Sequence, residues 1–193
     1  MKCSRNIFPR VAIFRIAVVL FFALLPCLVT PSYANTPVNG QAGTFEAAFS
    51  PHGGSLSLVL KTIDNAQKSI HVAAYSFTSK PVATALLAAH NRGVDVRVVA
   101  DAKSNGGGYT AATFLANEGV PVRLNAYYAI MHNKFMIIDG RDLQTGSFNF
   151  TAAAASKNAE NVLALRDVPD IADQYEKEWQ RLWDEAAPQK KRY

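Results

Sequence analysis

The chain has 193 residues, 20 Lys and Arg against 15 Asp and Glu, a formal net charge of +5 and two cysteines. Four of the basic residues, no acid and both cysteines fall within residues 1–34, so the remainder carries 16 basic against 15 acidic groups, or +1. Length allows one ordinary domain with a real core. Beyond residue 34 the composition excludes a strongly basic polyanion binder, a disulfide framework and a cysteine metal site.

Residues 1–34 have the three parts of a secretory signal: Lys2, Arg5, Arg10 and Arg15, an apolar run from Ile16 to Leu25, and the small residues Ser32 and Ala34 around Tyr33. The run is short beside the about 20 residues a membrane span needs, so cleavage after Ala34 is expected, with a retained N-terminal anchor as the alternative. The expected location is exported, periplasmic or secreted, with no stable membrane insertion after cleavage. Residues 35–44 read as a flexible leader, 45–187 as one folded domain and 188–193 as a basic, solvated tail.

Within the domain two periods alternate. Leu56, Val59, Leu60 and Ile63 share a helical face over Ser55 to Lys68, and "SIHVAAYSF" is a strand-length apolar run. A helix starts at Ser79-Lys80-Pro81, with Ser79 as its cap, and stops at Gly93. "VDVRVVAD" is a strand, "GGGYTAATFLANEG" a glycine loop and short helix, and "VPVRLN" a third strand. "KFMIIDG", "DLQTGSFN" and "NVLALR" then cluster as strands, with Gly140 in a turn. The end is an amphipathic helix over about Pro169 to Ala186, with Ile171, Tyr175, Trp179, Leu182 and Ala186 on one face. The pattern predicts an α/β fold, a mixed β-sheet flanked by helices.

The chemistry concentrates in "MHNKFMIIDGRDLQTGSFN", Met131 to Asn149. On a strand His132 and Lys134 point to the same side and converge on one anion. Ser147 and Asn149 share a face of the next strand and offer a hydroxyl and an amide to the same oxygens, while Gly146 lets the backbone come close. Glu160 is positioned to accept the other imidazole N–H of His132 and fix its tautomer. Alternation puts Asp139 on the opposite face, as a structural or supporting residue. His71 reads as a packed or interface residue, His52 as a loop residue, and His90 as a helix-end cation. "SNGGGY" lacks the spacing and lysine of a phosphate-binding loop.

His132, Lys134, Asp139, Gly146, Ser147 and Asn149 stand as H-x-K-x4-D-x6-G-S-x-N. This resembles the signature of the phospholipase D superfamily. "AYSFTS", "RGVDVRVVAD", "TGSFNFTAAA", "KNAENVLAL" and "EKEWQRLWDE" resemble its single-motif bacterial endonucleases of the Nuc type, from about Phe45 to Tyr193. The resemblance implies a phospholipase D-like catalytic domain over 45–187, with His132 as a nucleophile forming a phosphohistidine and with Lys134, Ser147 and Asn149 holding non-bridging oxygens. It also implies Glu160 orienting His132, no metal and no cofactor. The four histidines are scattered, with no pair at metal-ligand spacing.

Phosphodiester attack also needs an acid for the leaving oxygen, and the chain has a single H-x-K. A twofold homodimer with the site at its interface supplies the second histidine, and its neutral and protonated pair gives a bell-shaped pH dependence. The expected substrate is DNA without sequence preference, and RNA on the same chemistry, with Lys103, Arg123, Arg141 and Lys157 as rim contacts. One alternative is a phospholipid phosphodiesterase with an apolar rim at Tyr127, Tyr128 and Met131. Another, of a different class, is a nonenzymatic dimeric nucleic-acid-binding module.

Overall fold

The computed structural model describes residues 43–108 and 110–191. The expected signal peptide, and the leader as far as residue 42, lie outside the described residues.

The elements run β1 (Thr44–Ser50), α1 (Ser55–Asp64), β2 (Ser69–Ala74), α2 (Lys80–Asn91), β3 (Asp95–Asp101), α3 (Ala102–Asn105), α4 (Ala111–Asn117) and β4 (Val122–Asn125). They continue with β5 (Lys134–Ile138), β6 (Asp142–Gly146), α5 (Ala152–Ser156), β7 (Glu160–Arg166), α6 (Pro169–Asp184) and β8 (Ala187–Pro188). All eight strands form one sheet in the order β1-β7-β6-β5-β2-β3-β4-β8. β2, β3 and β4 are parallel, joined by helical crossovers, and the other pairings are antiparallel.

Strand alternation sorts the core into two layers. Val72, Met136, Ile138, Val162 and Ala164 face α1, α2 and α4, where Val59, Ile63, Leu86 and Leu115 pack on them. Ala73, Val99, Phe135, Ile137 and Leu143 face α6, whose Ala172, Trp179 and Leu182 complete the second layer. β5 is buried at all five positions, which explains its unbroken apolar reading between two helical layers. Trp179 is fully buried, and its indole N–H donates to the Val72 carbonyl at 2.9 Å, pinning α6 across the sheet. This is the expected mixed α/β sandwich. No helix of the described residues is long and apolar enough to cross a membrane.

Several elements escaped the sequence reading. β1 covers Thr44, assigned to the leader, and pairs residue by residue with β7. As an edge strand it leaves Phe45 and Phe49 each 61% exposed, so its alternation does not stand out as core. The tail is less free than expected: β8 pairs with Arg123 and Leu124 of β4, and the Gln189 amide donates to the Val122 carbonyl. α3 and α5 are single turns, too short for a periodic signal. Ser79 occupies the N-cap position of α2, without a side-chain capping bond.

The topology gathers chemistry at one edge of the sheet. The C-terminal ends of β2, β3, β4 and β6 and the N-terminal ends of β5 and β7 all open there, because antiparallel neighbours reverse direction. Crevices at the carboxyl ends of parallel strands are the usual ligand sites of such sheets.

Candidate active site

At that edge His132, Asn133, Lys134, Phe135, Thr145, Gly146, Ser147 and Tyr175 line an open cleft of about 260 Å³. Three of the expected site side chains, His132, Lys134 and Ser147, therefore share one cleft although residues 131–147 span two strands and a turn.

The local geometry differs from the expected pair of strand residues. β5 begins at Lys134, and His132 and Asn133 lie in the irregular segment before it. The physical reason is a competing bond: the Met131 amide donates to Asp101 Oδ2 at 2.8 Å instead of joining a ladder. Likewise β6 ends at Gly146, so Ser147 and Asn149 follow the strand rather than sharing a face of it. Phe148 and Phe150 between and beyond them are fully buried and anchor the turn.

His132 is exposed, and its ring meets the Tyr75 ring edge-on at 4.5 Å between centroids. Lys134 is 8% exposed, and its ammonium donates to the His132 carbonyl at 2.7 Å. Burial lowers its pKa from the ordinary lysine value, partly opposed by the negative charge of Glu160. A buried cation at the wall of an open cleft is poised for an anion.

Gly146 shows why glycine is required. Its φ is 148°, and a Cβ there would lie 2.3 Å from the Asn161 carbonyl oxygen. The close approach of β6 to β7 places the Ser147 hydroxyl against Glu160, to which it donates at 2.6 Å, and it accepts from the Asn161 amide at 3.1 Å.

Within this chain Glu160 has other partners. Among the described residues its carboxylate accepts from Ser147 Oγ and from Asn158 Nδ2 at 3.0 Å, not from His132. The reason is local: Glu160 opens β7 two residues before Val162, which pairs with Gly146 at the end of β6, and this brings the Ser147 hydroxyl to the carboxylate. Asn149 is not part of the cleft lining; its Oδ1 is buried without a hydrogen-bond partner beside the anchored phenylalanines.

Asp139 sits at the far end of β5. Its carboxylate accepts from three consecutive backbone amides, Gln67 at 3.0 Å, Lys68 at 2.7 Å and Ser69 at 3.0 Å. It thereby ties the β5–β6 turn to the start of β2.

Two of the expected rim cations are engaged elsewhere. Arg123 stacks on Trp183 and donates to its carbonyl at 2.9 Å. Arg141 lies in the turn at the far end of β5 and pairs with Asp167 at 2.8 Å. Lys103 and Lys157 are exposed, and Lys103 donates to the Ala129 carbonyl. Of the suggested apolar rim, Met131 is buried and Tyr128 is held by Glu185 and Arg181, leaving Tyr127 and the unforeseen Ile130 exposed.

His71 stacks on Trp179 at 4.2 Å, with Nδ1 2.6 Å from Glu176 Oε1, on the α6 side of β2. His52 takes a positive φ of 68° in the turn after β1, and His90 occupies the last turn of α2. Sequence reasoning missed Tyr75, Asp101 and Asn105. The visible signal was Asp at the end of "VVAD" followed by a short polar turn, a pattern that marks a capping carboxylate.

Comparison with known proteins agrees with this architecture. Residues 59–183 match the family described as "Cardiolipin synthase, PLD-like domain". The chain is 37% identical over 131 residues to a phospholipase D of Rickettsia conorii, covering 68% of this chain and 65% of that one. It is 37% identical over 139 residues to the mitochondrial cardiolipin hydrolase of Xenopus laevis, 72% of this chain and 66% of that one. The chain thus spans less than two thirds of these relatives' length. The crystal structure of Nuc, a phospholipase D family member from Salmonella typhimurium, superposes with a TM-score of 0.75 at 38% identity, covering 77% of this chain and 99% of Nuc. Together with the H-x-K-x4-D-x6-G-S-x-N pattern and the cleft it builds, these matches establish that the chain belongs to the phospholipase D superfamily.

Proposed function

We propose that the protein is a metal-independent phosphodiesterase that hydrolyses nucleic-acid backbones, DNA first, without sequence preference. The observation that carries the reading is the joint presence of an exposed imidazole, a buried ammonium and a hydroxyl in one open cleft. His132 attacks phosphorus and forms a phosphohistidine. Lys134 and Ser147 meet the charge that builds on the non-bridging oxygens, the usual largest catalytic contribution. Asn149 joins them by turning its amide toward the bound phosphate.

The leaving oxygen needs a proton, and one chain presents one such histidine. A twofold homodimer placing two exposed His132 side chains face to face supplies it. One attacks while the other protonates the leaving group and then activates water. Glu160, held by Ser147 and Asn158 within its own chain, keeps a carboxylate beside the cationic site.

Nucleic acid is favoured over lipid by the cleft, which is open and lined mainly by polar side chains, and by the near-complete coverage of Nuc. The relatives named for phospholipase D and cardiolipin hydrolase keep the lipid reading as the direct competitor. We further propose that the protein acts outside the cytoplasm after removal of residues 1–34. The test is cleavage of plasmid DNA in excess EDTA beside hydrolysis of phosphatidylcholine and cardiolipin vesicles, with His132→Ala as control. Cleaved DNA and intact lipid are expected; intact DNA with hydrolysed lipid sinks the nuclease reading, and full activity of His132→Ala removes the site.

A further inference from the structure

Tyr75 follows β2 directly and has no place in the H-x-K or G-S-x-N pattern. Its ring nonetheless touches both central groups of the cleft. The His132 ring lies edge-on at 4.5 Å, and the Lys134 ammonium sits 5.1 Å from the ring centroid. The ammonium also donates to the His132 carbonyl at 2.7 Å, so the three residues close a loop of contacts. A cation within about 6 Å of an aromatic face is held by the ring quadrupole, more strongly where water is excluded. Lys134 is 8% exposed, so this is a place where the ring counts.

Tyr75 is itself held. Its carbonyl accepts from Asn105 Nδ2 at 2.6 Å, and the same amide donates to the Asp101 carbonyl at 2.9 Å. Asn105 Oδ1 accepts from the Phe77 amide at 3.1 Å, and Asn105 is fully buried. The Asp101 carboxylate, 1% exposed, accepts from the Met131 amide, one residue before His132. One buried Asp–Asn pair thus sets the position of both the ring and the histidine it supports.

The geometry points to Tyr75 as a positioning residue: its ring holds the Lys134 ammonium and the His132 imidazole in the arrangement that meets a phosphodiester. This rests on the proposed roles of His132 and Lys134. The ring face is the active feature, and the hydroxyl has no assigned part.

The test uses the full chain and bis(4-nitrophenyl) phosphate, which reports turnover whatever the natural substrate. Tyr75→Leu is expected to lower kcat about ten- to hundredfold, and Tyr75→Phe to keep it within about threefold. Because Tyr75→Leu can simply fail to fold, mono-, di- and trifluorophenylalanine are also placed at position 75. Each fluorine weakens the ring quadrupole while nearly preserving ring size. A stepwise fall in kcat of about three- to tenfold across the series is expected, with unchanged melting temperature. A flat series, or a folded Tyr75→Leu with wild-type kcat, overturns the proposal. His132→Ala separates the two layers: if it is inactive and the series is flat, Tyr75 alone has been misread; if it turns over normally, the site reading itself fails.

Discussion

Asp139 belongs to the signature pattern but stands apart from the cleft, and replacing it separates the two roles. Asp139 lies one residue past β5 and five residues from Lys134, about 16 Å away along an extended strand at about 3.3 Å per residue. Its carboxylate receives three backbone N–H groups, and its φ of 54° sits beside the 66° of Gly140. That pair of positive angles is what a type I′ hairpin turn demands. Asp139→Asn tolerates the left-handed backbone but turns one acceptor into a donor facing N–H groups. It should cost about 1–2 kcal/mol, or roughly 3–6 °C in melting temperature. Asp139→Ala loses all three charge-assisted bonds and adds left-handed strain, for about 3–4 kcal/mol and roughly 8–15 °C. Urea unfolding followed by the fluorescence of Trp179 and Trp183 measures the loss, and bis(4-nitrophenyl) phosphate turnover at 15 °C measures the site. Both variants should turn over normally at that temperature where folded. An Asp139→Asn protein as inactive as His132→Ala, with an unshifted urea midpoint, would refute this reasoning.

Lys134→Met should abolish turnover yet raise the melting temperature at neutral pH by roughly 2–4 °C, since it removes a buried cation. The sign follows from its lowered pKa: the cost to the fold is fully present below the folded pKa and disappears as pH rises toward 10.5. The gain over wild type should therefore shrink in alkaline melts, and a gain that grows with pH contradicts the assignment. Gly146→Ala should lose about 2–4 kcal/mol in chemical denaturation and disturb Ser147, because the clashing atom, the Asn161 carbonyl oxygen, is backbone and cannot turn aside. Wild-type stability of that variant would show that β6 and β7 separate more easily than described. Sedimentation should find a dimer with kcat bell-shaped in pH, and full activity from a strict monomer ends the shared-site proposal. Plasmid cleavage should also fall steeply between 50 and 200 mM salt if Lys103 and Lys157 touch phosphates, and a salt-independent rate would remove them from the rim.

Much of this molecule is legible from residue order alone. Alternation and helical periodicity locate the long elements, because each buries one face and must repeat that face along the chain. The spacing from His132 to Asn149 resembles the superfamily signature, and its His132, Lys134, Gly146 and Ser147 line one cleft because they sit at the meeting ends of β5 and β6. Long-range bonds decided the rest. Asp101 captures the Met131 amide and so lifts His132 out of the strand. Glu160 meets Ser147 rather than His132 because β6 and β7 are neighbours, which no local pattern states. Arg123 and Arg141 look like free cations in sequence, yet Trp183 and Asp167 claim them in the fold. Tyr75 gains its place beneath Lys134 only because β2 and β5 are adjacent although they lie far apart in sequence. The sequence by itself determined which residues form the signature pattern and how often each face repeats. The sheet order decided which of them meet, because contacts between distant segments arise only when the core brings their strands side by side.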